Sequence, residues 1–136
     1  MSSPYIVTPN LTAQGNINPS VFVKLDTAND LSIVQSTANG RTVGISQPGT
    51  KYAPGTAADS GYAFIAGDSA WYMGPGSVCL LLIGSGGVTR GDLIESDANG
   101  AGVTSTVAGH NVGAIALESG AMGEYRKVQV VIFNHA

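Results

Sequence analysis

Glycine and proline interrupt this chain every few residues, and their spacing limits what it can fold into. With 19 glycines and six prolines among 136 residues, no window sustains a 3.6-residue apolar period. An amphipathic helix therefore has nowhere to form. Between the turn signals lie short apolar or β-branched segments at Val21–Leu25, Leu31–Val34, Thr42–Ile45, Ala63–Ala66, Val78–Ile83, Leu93–Glu95, Val103–Val107, Val112–Leu117 and Lys127–Phe133. Short strands at this spacing, broken by Asn-Gly, Asp-Ser-Gly and Pro-Gly, predict an all-β domain, a small β-barrel or β-sandwich. The Lys127–Phe133 segment is the clearest strand. It opens with alternation at Lys127-Val128-Gln129-Val130, and its remainder reads as buried on both faces.

Two regions depart from that rhythm. In residues 1–20, Pro4, Pro9 and Pro19 set extended backbone at intervals, with Asn10, Asn16 and Asn18 adding turn chemistry. This predicts either an extended N-terminal arm ahead of a single β domain at 21–136, or an ordinary first strand and loop. The second region is an aromatic, Gly/Pro-rich insertion at about 50–76, carrying Tyr52, Tyr62, Phe64, Trp71, Tyr72 and Met73. Its aromatics either roof the core or anchor a partner.

A faint internal echo also runs through the chain. Ala28-Asn29, Ile33, Ser36, Ala38, Gly40 and Val43-Gly44 recur as Ala98-Asn99, Val103, Thr106, Ala108, Gly109 and Val112-Gly113, offset by 70 and then 69 residues. Two β-meanders of this kind would bury their apolar faces against each other.

Composition excludes several function classes. Charged residues are 11% of the chain and net charge is −3. Only six Lys or Arg are present, with no basic stripe of the kind that displaces counterions from phosphates, so nucleic acid is a poor partner. A surface of Ser, Thr, Asn, Gly and Ala is cheap to desolvate, which suits a protein held in contact with others. The lone Cys79 sits in the apolar run Val78–Ile83 and reads as a buried, reduced side chain. The N-terminal residues lack the pattern of a signal peptide, and no apolar run approaches bilayer length. These features predict no membrane partner and synthesis in a cytoplasm.

The search for chemistry is mostly negative. His110 and His135 have no metal-ligand spacing to each other or to Cys79, so no metal and no cofactor is expected. No Gly-x-Ser-x-Gly elbow occurs. Gly84-Ser85-Gly86-Gly87 lacks the Lys-Ser/Thr end of a phosphate loop and reads as a turn. Asp92, Glu95 and Asp97 form the one acidic cluster, but Asp97-Ala98-Asn99-Gly100 reads first as a β-turn. Arg90-Gly91-Asp92 and Asn10-Leu11-Thr12 are short motif matches of the kind that chance supplies. An enzyme is not expected; one would have to use Asp92, Glu95 or His110.

Gly91-Asp92-Leu93-Ile94-Glu95, then Val112-Gly113-Ala114-Ile115-Ala116-Leu117-Glu118-Ser119-Gly120, and a closing Val128-Gln129-Val130-Val131-Ile132 resemble the small capsid decoration (cement) proteins of bacteriophages. The match covers about the last 50 residues and, more loosely, 20–47; the insertion has no counterpart. The resemblance implies a structural virion protein on the capsid surface, commonly a homotrimer, that bridges neighbouring major capsid protein subunits and stabilises the shell. Tyr5, Ile6 and Val7 would add a strand to a capsid-protein edge. The alternative is a β-structured tail or fibre module binding a receptor or glycan, with Trp71 and Tyr72 as its aromatic contact.

Overall fold

The structure, a computed structural model, describes residues 11–47 and 62–135. Among them are ten strands and no helix: β1 Leu11–Ala13, β2 Phe22–Leu25, β3 Ser32–Gln35, β4 Thr42–Ile45, β5 Ser69–Ala70, β6 Val78–Leu82, β7 Leu93–Ser96, β8 Gly102–Thr104, β9 Asn111–Ala116 and β10 Tyr125–Asn134. They form two five-stranded sheets, ordered β4-β2-β3-β1-β5 and β6-β10-β9-β7-β8. Neither sheet closes into a barrel. In the second, a parallel bridge between Ile83 and Gly102 ties strand ends from its two edges.

The sequence echo corresponds to a repeated unit, though not to a meander. β2 pairs antiparallel with both β3 and β4. In the second sheet β7 pairs in the same way with both β8 and β9. Each unit thus has its first strand in the centre, and the third returns beside the first instead of beside the second. The connections that allow this carry a left-handed residue at corresponding places, Asn39 at φ 53° and Gly109 at φ 88°. The Val-Gly of each copy also has one use. A side chain at Gly44 would overlap the Tyr72 ring, and one at Gly113 would overlap the Phe22 ring. Each unit leaves out a Cβ where an aromatic ring lies against the strand.

Two apolar clusters hold the fold. One joins Phe22 and Ile45 of the first sheet to Cys79, Leu81, Ile83, Ile94, Ala114, Ala116, Val128 and Val130 of the second half, with Met73 packed on it. The other contains Leu11, Ala13, Ile17, Val21, Val23, Ile33, Ala63, Phe64 and Ala70, with Tyr72 against it. Adjacent residues Phe22 and Val23 enter different clusters because side chains alternate across a strand. β2 is thereby buried on both faces at its start.

Two strand expectations need correction, and the N-terminal segment can be followed from residue 11. Of residues 1–20, the first ten lie outside the described residues. The rest are built into the domain: β1 pairs with β3 and β5, and Ile17 is fully buried. Ala63–Ala66 forms no strand; Phe64 makes a single bridge to Ile17. The end of β10 is not buried on both faces. A register shift between Val130 and Phe133 interrupts its pairing with β9, and Ile132 and Phe133 end 40% and 42% exposed.

The Phe22–Gly113 contact yields a direct test. A Cβ at Gly113 would lie 2.6 Å from both the Phe22 ring and Thr42 Oγ1. Gly113→Ala should cost about 1–3 kcal/mol by overpacking. In the Phe22→Leu background the added cost should be smaller, because the ring is gone. Chemical denaturation of the four-member cycle measures both.

Candidate interaction surface

Among the ionisable residues the sequence singles out, the acidic cluster separates into three local structures. Asp92 accepts from the Thr89 N–H at 2.8 Å and from the Thr104 hydroxyl at 3.1 Å. Asp97 lies beyond the end of β7, where its Oδ1 accepts from the N–H groups of Asn99 and Ala101 at 2.8 and 2.9 Å. That is the expected turn. Glu95 is buried on β7 and meets His110, whose Nδ1 lies 2.9 and 3.1 Å from its two carboxylate oxygens. A carboxylate only accepts, so Nδ1 carries the proton.

Sequence reasoning missed the Glu95–His110 pair. Its signal was topological: His110 immediately precedes β9, the strand that pairs with β7. The pair secures one end of the molecule, because His110 and Gly109 also hold His135 through backbone hydrogen bonds of 2.8 and 2.7 Å. Among the described residues no group of three metal-ligating side chains gathers. Cys79 is buried, and desolvation pushes its thiol up to about 12.

The insertion aromatics divide between two roles. Phe64 is buried, and Trp71 meets it edge-to-face at 6.4 Å between ring centroids, inclined by 76°. Tyr72 packs on the core beside Gly44, and its phenol is raised above the usual range by burial. Phe64 and Tyr72 therefore roof the core, while Trp71 keeps an exposed flank. Tyr5, Ile6 and Val7 lie outside the described residues.

The strand registers define an exposed apolar surface on the outer face of the second sheet, which sequence reasoning did not single out. Cys79 and Leu81 of β6 and Val128 and Val130 of β10 are buried, so the residues between them point the other way. Register aligns Val78 with Gln129, Gln129 with Ile115, and Ile115 with Leu93 in one cross-strand row. A second row runs from Leu80 to Lys127 and on to Leu117, whose N–H donates to the Lys127 carbonyl at 3.1 Å. Tyr125 follows beside Leu82. Val78 is 54%, Tyr125 46%, Leu117 40% and Leu80 37% exposed. The solvent face of an antiparallel sheet is ordinarily polar. Here Lys127 and Gln129 are the polar members of these rows.

No protein-family model matches the chain, and no curated protein matches it. A solved structure does: the head fiber gp8.5 N base of bacteriophage phi29, with a TM-score of 0.69. The likeness covers 93% of this chain and 95% of that one at 15% identity. This chain shares that fold over nearly its whole length.

Two outcomes follow from the ionisable groups. His110→Ala should destabilise the domain by about 1–3 kcal/mol by leaving the Glu95 carboxylate without its partner, and adding Glu95→Gln should recover part of the loss. Thermal or urea unfolding of both variants measures this. With its thiol raised to about 12, Cys79 holds a thiolate fraction of roughly one in ten thousand at pH 8. Iodoacetamide should therefore label native protein slowly and unfolded protein fast, as read by intact mass.

Proposed function

We propose that this chain is a non-enzymatic structural protein of a bacteriophage virion, seated on the outside of an icosahedral capsid. The observation that carries the reading is the fold shared with the base of a phage head fibre across 93% of the chain. The finer role is that of a decoration protein, which binds the major capsid protein, bridges neighbouring subunits and stabilises the shell. Low charge supports it, since a surface with few ions is cheaply desolvated against a partner. A homo-oligomer, with a trimer favoured, would engage several capsid sites at once and multiply modest contacts by avidity. The chain would be made in the host cytoplasm and end on the virion surface, with no cofactor, nucleic-acid or membrane partner.

A second reading is favoured by the same neighbour, the base of a head fibre: the domain would be the base of an appendage that binds a receptor or glycan. The exposed flank of Trp71 suits stacking on a sugar. Trp71→Ala should then abolish glycan binding and leave the fold intact.

Co-sedimentation of the purified chain with shells that lack it tests the decoration role. The full chain should pellet with shells, saturate at a fixed ratio and raise their melting temperature. A chain lacking residues 1–10 should stay folded and bind more weakly if Tyr5, Ile6 and Val7 supply an added strand. Shells that neither take up the chain nor gain stability would contradict the decoration role, and unchanged uptake of the truncated chain would remove the arm from it.

A further inference from the structure

We propose that the outer face of the second sheet, centred on Val78, Leu80, Leu117, Tyr125 and Lys127, is the surface on which a second copy of this chain docks. The reasoning begins with strand alternation. β6 and β10 bury one set of side chains in the core, and at the outward positions, where an exposed sheet places polar residues, Val78, Leu80 and Tyr125 stand instead. Leu117 extends the row beyond β9. Isolated apolar residues on a surface are ordinary, whereas adjacent ones on neighbouring strands mark an interaction site.

The charges identify the occupant. Glu118 sits at the edge of this face, where its Oε2 accepts the Lys127 backbone N–H at 2.8 Å. Its Oε1 has no hydrogen bond among the described residues. The ion pairs among those residues are His110–Glu95 and Arg126–Glu124, and neither involves the Lys127 ammonium. Lys127 stands between Leu80 and Leu117 in its row with Glu118 beside it, so a cation and an anion lie side by side in the apolar field, an arrangement complementary to a second copy turned to face it. When a second copy lies on it, Lys127 of each chain can meet Glu118 of another, reciprocally about a two-fold axis or in sequence around a three-fold. A partner of uniform sign would leave one of the two charges unmatched.

Sedimentation velocity on the full chain tests this without any capsid, so its failure is separable from failure of the virion reading. The parent chain should sediment as an oligomer whose population rises with concentration. K127E and E118K should each weaken association about tenfold or more, because each gathers like charges on the face. Mixed together, the two single variants should associate with one another, one chain carrying only anions at these positions and the other only cations. The double variant K127E/E118K should regain self-association. A chain lacking residues 1–10 should associate as the parent does.

A parent chain that stays monomeric up to its solubility limit would overturn the proposal. So would single variants that associate as tightly as the parent, or a mixture that forms no heteromer. Loss of association on removing residues 1–10, with the charge variants unaffected, would assign the contact to that segment and equally overturn it. Circular dichroism of each variant confirms that it is folded, which these exposed positions permit.

Discussion

Phe22 occupies the seam between the two sheets, and both halves of the molecule depend on how it is held. Its backbone N–H donates to the Gly100 carbonyl at 2.8 Å, reaching across to the turn between β7 and β8. Its carbonyl accepts from Ser36, where the chain leaves β3. Its ring fills the space that Gly113 leaves on β9. One residue thus joins the centre of the first three-stranded unit to the second. Neighbouring hydrogen bonds complete the seam: Asn39 donates to Ser96 and accepts from the Asn111 N–H, and Leu82 donates to Ser20. An aromatic ring against a glycine is unforgiving in both directions, since interiors tolerate neither an added methyl nor a void. The register between the halves is fixed by shape more than by any single bond.

That seam determines which surfaces remain available. The first sheet contributes to both clusters, through Phe22 and Ile45 on one side and Val23 and Ile33 on the other. The second sheet faces its core through Cys79, Leu81, Val128 and Val130; on the opposite side of β6 and β10, Leu82 packs against the other cluster while Val78, Leu80 and Tyr125 stay exposed. Its loops spend their polar groups on themselves, as Asp97 does in its turn and Asp92 at the start of β7. Exposed on that side of β6 and β10 are Val78, Leu80 and Tyr125, with Lys127 and Gln129 as the polar members. A surface of that kind suits lasting association within an assembly.

Much of this was legible in the sequence, for identifiable reasons. Gly and Pro spacing gave the all-β class, and eight of the strands fall on segments whose β-branched residues stand between turn signals. The 70-residue echo marked the two equivalent units, because the same turns demand the same small residues. Strand order was not legible: nothing in Val43-Gly44 says that β4 returns to β2, since the choice rests on which rings fill Gly44 and Gly113 from distant parts of the chain. β1 and β5 escaped notice because Leu11–Ala13 and Ser69–Ala70 are too short to show a period. The outer face of the second sheet also stayed hidden. In Val78–Ile83 every residue is apolar, so sequence cannot tell the buried members from the exposed ones. The Glu95–His110 contact spans strands whose adjacency only the fold reveals.

Counting copies in intact particles tests the virion role most directly. Quantitative mass spectrometry of purified particles from the source gives the number of these chains per major shell protein. A shell-wide structural role predicts a ratio near one, or a simple fraction set by the symmetry points of the lattice. Complete absence of the chain from purified particles would contradict it.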